Sequence, residues 1–209
     1  MRLMENLTKI NDAFCTQFRP KNSLDVNFIR IQNGTGCSGP VGVWTRSNSS
    51  QIVTLMHTNR QTCMTSGIIQ HELGHVLGFM HEQSRADRDI YVSIQWNNIL
   101  SDHSSNFNKY SFDTFNISYD YGSIMHYGQY AFTIDSNLST IIPILNKSAI
   151  IGQRSQLSQS DIRKIRQFYG CIPTIPNQLQ TIANVNVTNG YSYLKWNIYL
   201  IIIMLFNLQ

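Results

Sequence analysis

His71-Glu72-Leu73-Gly74-His75-Val76-Leu77-Gly78-Phe79-Met80-His81 is the stretch on which the reading of this chain turns. Three histidines, a glutamate and a glycine stand at fixed spacing, H-E-x-x-H-x-x-G-x-x-H. A helix over Ser66–Leu77 puts His71 and His75 on one face, because side chains at i and i+4 are neighbours. Two imidazoles one turn apart can take two corners of a zinc tetrahedron. Gly78 can leave the helix through a left-handed conformation, and the chain then brings His81 round as a third ligand. Glu72 is beside a ligand but too close to bind the same metal comfortably, so it is expected to face the metal-bound water as general base. One zinc ion per chain is the expectation.

The rest of the composition excludes more than it assigns. Of 209 residues, 42% are hydrophobic and 13% charged, enough for a globular core under a surface rich in Asn, Ser, Thr and Gln. The net charge of +4 comes without a Lys/Arg run or an aromatic-basic stripe, so no nucleic-acid partner is expected. Cys15, Cys37, Cys63 and Cys171 form no C-x-x-C pair, and their even number and wide spacing point to two disulfides, with three pairings open. Seven N-x-S/T sequons, at Asn6, Asn33, Asn48, Asn116, Asn137, Asn146 and Asn186, are compatible with a secreted glycoprotein. Met1–Asn11 is polar and has no apolar leader, so a secreted reading carries the expectation that the true amino terminus lies upstream.

Along the chain, Leu3, Leu7, Ile10, Phe14 and Phe18 predict a helix over residues 2–18. Asp25–Ile31, Val41–Trp44 and Ile52–Met56 read as strands, with a turn at Asn33–Gly36. A further helix over Ser158–Phe168 is signalled by Ser158 three residues before Asp161, with Ile162, Ile165 and Phe168 on one face. After Cys171, Pro173 and Pro176 mark a linker. Ile198–Phe206 is an unbroken apolar run of nine residues, well short of the roughly 20 that span a bilayer. It reads as a carboxyl-terminal tail, with membrane tethering disfavoured.

The residues after the third histidine carry a resemblance. His81-Glu82-Gln83-Ser84-Arg85-Ala86-Asp87-Arg88-Asp89-Ile90-Tyr91-Val92 closely resembles the astacin family of metzincin zinc endopeptidases. Ser123-Ile124-Met125-His126-Tyr127-Gly128 looks like that family's Met-turn. Leu157–Ile162, leading to Tyr169-Gly170-Cys171, is similar to the end of its catalytic domain.

The resemblance covers residues 1–171 and implies an α+β, metzincin-like, two-lobed zinc protease domain. A mixed sheet and the zinc helix would occupy residues 1–81 and a mostly irregular lobe 82–171, with 172–209 as linker and tail. It further implies His71, His75 and His81 as zinc ligands and Glu72 as general base. Tyr127 would ligate zinc at rest and stabilise the transition state, and Met125 would pack beneath the histidines. Cys15 would pair with Cys171, and Cys37 with Cys63. Gln51–Met56 would be the edge strand that aligns an extended protein or peptide substrate, through Gln51, Val53 and Leu55, with Arg154 near the primed-side pocket. The implied activity is hydrolysis of peptide bonds in extracellular proteins. The alternative is a truncated, inactive relative that still binds zinc or peptide. Two departures stand out: an opening strand and the start of the first helix are not found ahead of Cys15, and no amino terminus is at hand to meet Glu82. An unpartnered buried carboxylate there would be costly.

Overall fold

The computed structural model describes residues 1–42 and 50–172 and the backbone of 199–205. In chain order the elements are α1 (Arg2–Thr8), β1 (Gln17–Pro20), β2 (Phe28–Gln32), β3 (Cys37–Ser38), β4 (Ser50–Leu55), α2 (Ser66–Val76), β5 (Val92–Ile94), β6 (Ile141–Pro143), α3 (Gln159–Phe168) and β7 (Tyr199–Leu205). Short 3-10 segments fill much of the chain from Glu82 to Phe107.

The first helix is shorter than its apolar spacing predicts. α1 stops at Thr8, and Lys9 is already extended. Asn11 and Asp12 both adopt positive φ, 45° and 68°, and Ile10 and Ala13 exchange two backbone hydrogen bonds across them. That is the chemistry of a tight turn with left-handed central residues, and it overrides a period-3.6 pattern that continues through it. Residues 17–20, expected in the helix, form β1 instead. Arg166 on α3 donates to the carbonyls of Leu7, Thr8 and Lys9, satisfying the open end of α1.

The main sheet has the order β1-β7-β2-β4-β3. β2 and β4 are parallel, with Ile29 opposite Gln51 and Ile31 opposite Val53, while β3 runs antiparallel to β4. β7 lies between β1 and β2, parallel to both. Alternate residues of β2 and β4 (Ile29, Ile31, Val53, Leu55) are buried in one cluster with Leu73, Val76 and Leu77 from the α2 region. Each such side chain contributes about 1.5–3 kcal/mol by leaving water.

α3 joins this cluster through Ile162 and Ile165. Phe168, expected on the same face, is 39% exposed and packs its ring edge-on to Phe79 and Phe115. Ser158 and Asp161 form a capping box at the start of α3. The cores therefore do not divide at residue 81: Met125, Leu157, Ile162 and Ile165 belong with the sheet. Val92, Ile99, Phe107, Tyr119 and Ile141 form a second cluster beside the β5–β6 pair.

Two disulfides close the domain, Cys15–Cys171 and Cys37–Cys63. The expected strand at Val41–Trp44 is not formed at residues 41–42, and its remainder lies outside the described residues, as do the sequons at Asn48 and Asn186 and the linker prolines. Among the described residues no helix is long and apolar enough to cross a membrane.

Candidate metal and catalytic centre

The site is built on α2. Thr65 caps its start, its side chain accepting from the Ile68 N–H. Its end is a Schellman closure: the Gly78 N–H bonds to the His75 carbonyl and the Phe79 N–H to that of Gly74. Gly78 sits at φ +100°, open to glycine and strained for other residues. This turn folds the chain back so that His81 reaches the two helical histidines.

The three rings converge. His71 and His75 are buried at 7% exposure each, and their ring centroids stand 4.7 Å apart. His81 lies 5.3 and 4.5 Å from them. His71 Nδ1 is 2.8 Å from the Ile124 carbonyl and His75 Nδ1 2.8 Å from that of Phe79. A carbonyl only accepts, so each Nδ1 carries the proton and each Nε2 lone pair is left for a metal. The Nε2 atoms of His75 and His81 face each other at 3.1 Å. Two nitrogens bound tetrahedrally to one zinc lie about 3.3 Å apart, so the spacing fits that ion. One ring nitrogen from each of the three histidines lies within 4.8 Å of the others. Burial pushes the His71 imidazole down to about 3, with the neighbouring His75 adding to it, and lowers His75 and His81 as well. All three are held neutral, the form that binds metal.

Glu72 is 4% exposed beside this group. Burial raises its carboxyl to about 7, opposed by the charge of Arg154 and a hydrogen bond from the Gly39 backbone. Tyr127 lays its ring 4.3 Å from His81 and also meets Phe107 and Phe132. Burial pushes its phenol up to about 12, so the O–H stays on. Its backbone N–H is held by the Gln83 side chain at 3.0 Å.

Met125 is 4% exposed under α2. A Cβ placed on Gly74 would stand 2.7 Å from its sulfur. Between the two helical histidines there is room for glycine alone, because this thioether occupies the space a Cβ would take. The Met-turn is in turn anchored to α3: Asp161 accepts from Ser123 Oγ at 2.6 Å and from the Ile124 N–H at 2.9 Å. Ile124 thus donates its N–H to Asp161 and offers its carbonyl to His71. Sequence reading values Asp161 only as a helix cap and does not single out Gln83, Ser123 or Tyr119. Tyr119 donates to His126 Nε2 at 2.7 Å, while His126 Nδ1 donates to the Tyr127 carbonyl. Only the place of Ser123 and His126 within the Met-turn motif hints at those two.

Two expectations are corrected. Gln51, Val53 and Leu55 do not lie on an edge strand: β4 is flanked by β2 and β3, and among the described residues β3 is outermost on that side. Val53 and Leu55 are 1% and 5% exposed, in the core, and Gln51 donates inward to the Gly42 carbonyl. The Val53 and Leu55 side chains are structural, because alternation directs them into the α2 cluster. Arg154, expected near the primed-side pocket, donates to the His126 and Gln153 carbonyls near Glu72 and Tyr127. Glu82 does not lack partners. It is 2% exposed and meets the Lys164 ammonium at 2.5 Å, Arg85 at 3.1 Å and the Asp120 N–H at 2.9 Å. Glu82, Arg85 and Lys164 line a cavity of about 680 Å³ together with Gly78, Met125 and Phe168 among others.

The sequence profile of the peptidase family described as Astacin matches residues 1–170. The chain is 46% identical over 162 residues to High choriolytic enzyme 1 of Oryzias latipes, a match covering 77% of this chain and 57% of that protein. To Zinc metalloproteinase nas-13 of Caenorhabditis elegans it is 41% identical over 173 residues, covering 81% and 36%. Among solved structures it is similar to High choriolytic enzyme 1, a hatching enzyme zinc-protease from Oryzias latipes (Medaka fish), with TM-score 0.67, 43% identity and 73% of each chain covered. The chain spans about half the length of the hatching enzymes it matches.

Proposed function

Because this chain belongs to the astacin family of peptidases, we propose that it is a zinc endopeptidase that hydrolyses peptide bonds of extracellular proteins, with His71, His75 and His81 as metal ligands and Glu72 as general base. The observation that carries this reading is the convergence of three neutral imidazoles beside a buried carboxylate. Zinc, when bound, supplies Lewis acidity that polarises the scissile carbonyl and brings the pKa of a water to about 7.

The chain's own residues do the rest. Glu72 takes the proton from the attacking water and later delivers it to the leaving amine. Its burial favours the protonated form, so it can hold that proton between the two transfers. Tyr127, whose phenol stays protonated, donates its O–H to the developing oxyanion. Met125 and the Ile124 carbonyl position the histidines. Arg154, fixed by two carbonyls beside Glu72, supplies positive charge at the cleft wall. No covalent intermediate on the protein is required. The two disulfides support action in an oxidising, extracellular setting.

The test is cleavage of casein or gelatin by the oxidised, zinc-loaded chain, beside Glu72→Ala and a chelated sample. Cleavage abolished in both controls is the expected result. Tight zinc binding without any cleavage would overturn the peptidase reading in favour of a metal- or peptide-binding relative.

A further inference from the structure

We propose that the carboxyl-terminal segment Tyr199–Leu205 is a built-in strand complement: the slot between β1 and β2 is its docking site, and the integrity of the sheet that supports the catalytic centre depends on it. The topology carries this first. Among the described residues, β1 reaches the rest of the sheet only through β7, since β1 and β2 are not neighbours. Without β7 the sheet falls into β1 alone and a β2-β4-β3 remnant, each with an open row of backbone donors and acceptors.

The register is continuous on both sides. Gln17–Pro20 pair with residues 199–202, and Ile29–Gln32 pair with residues 202–205. Ile202 is shared, standing opposite Pro20 on one side and Ile29 on the other. The segment thus stitches two strands that start at staggered heights.

The sequence fits the slot. Ile198–Phe206 is uniformly apolar, the composition of a parallel strand covered on both faces, and its length matches a strand rather than a bilayer span. The connectivity fits as well. Cys171 is bonded to Cys15, two residues before β1 begins, so the tether to β7 starts beside the strand that β7 joins. Residues engaged in this sheet are not at the same time engaged in a membrane, and the tail is assigned to the fold.

Cross-linking in the full chain tests the docking. Gln32→Cys combined with Leu205→Cys should form a disulfide within one chain, because positions 32 and 205 are opposite each other. Gln32→Cys with Tyr199→Cys should not, since residue 199 lies six positions, about 20 Å, further along the strand. Separately, Ile202→Pro removes a ladder donor from a central strand and should lower Tm by roughly 10 °C or more. Equal yields from both cysteine pairs, a link joining two chains as a dimer, or an unchanged Tm in Ile202→Pro would each overturn the proposal. None of these readouts requires peptidase activity.

Discussion

Gly74 shows how one residue answers to two demands. In an exposed helix a glycine costs about 1 kcal/mol relative to alanine. Here an added methyl would collide with the Met125 sulfur, which is buried. Overpacking of that kind costs about 1–3 kcal/mol. Gly74→Ala is therefore expected to destabilise by roughly 1 kcal/mol net and to be rescued by Met125→Val, which lacks the sulfur. Thermal melts of the single and double variants check this; a raised Tm in Gly74→Ala alone would remove Met125 as the constraint. Tyr127 belongs to the same scale. Tyr127→Phe keeps the ring against His81 and Phe107 but loses the O–H. Zinc content should be unchanged and kcat should fall about a hundredfold, the usual loss for one oxyanion donor. Unaltered turnover would dismiss the assignment.

At the scale of elements, the Met-turn and α3 act as one unit. Asp161 caps α3 through Ser158 and at the same time holds Ser123 and Ile124, and Ile124 orients His71. Asp161→Ala should cost about 2–4 kcal/mol, combining a lost cap with orphaned buried donors. It should also weaken zinc affinity about ten- to a hundredfold through the ligand's supporting shell. Denaturant unfolding and a zinc titration measure the two effects, and stability lost with zinc affinity intact would sever the link to His71. The elements legible in sequence are those whose ends are written locally: α2 by its ligand spacing and Gly78, α3 by Ser158 and Asp161. Apolar spacing overextends α1 because it runs through Asn11 and Asp12, whose turn chemistry ends the helix. The edge position expected for β4 comes from the family resemblance, and strand order depends on partners distant in sequence that no local pattern reports. The irregular stretch from Glu82 to Phe107 has no period to read, yet its buried ion pairs gather around Glu82 with Lys164, more than eighty residues away.

Across the whole molecule, most of the zinc centre is visible in the single stretch from His71 to His81, while the scaffold that holds it is not. Lys164, Asp161 and β7 reach the centre or its sheet only through tertiary folding. The two disulfides differ in what they restrain. Cys37–Cys63 closes a sequence separation of 26 and Cys15–Cys171 one of 156. In the chain-entropy picture these stabilise by roughly 3–4 and 5 kcal/mol respectively. Against a total of about 5–15 kcal/mol, losing the longer closure is the graver loss. Cys15→Ser with Cys171→Ser should lower the denaturant midpoint more than Cys37→Ser with Cys63→Ser. The reverse order would show that native-state strain or residual denatured structure dominates.

The longer bond also makes the polypeptide from Cys15 to Cys171 a covalent ring. A ring tolerates one scission without coming apart. In a milieu where peptidases cut one another, a single nick on an exposed loop opens the circle but releases no fragment, and both new ends remain tied to the particle that carries the histidines.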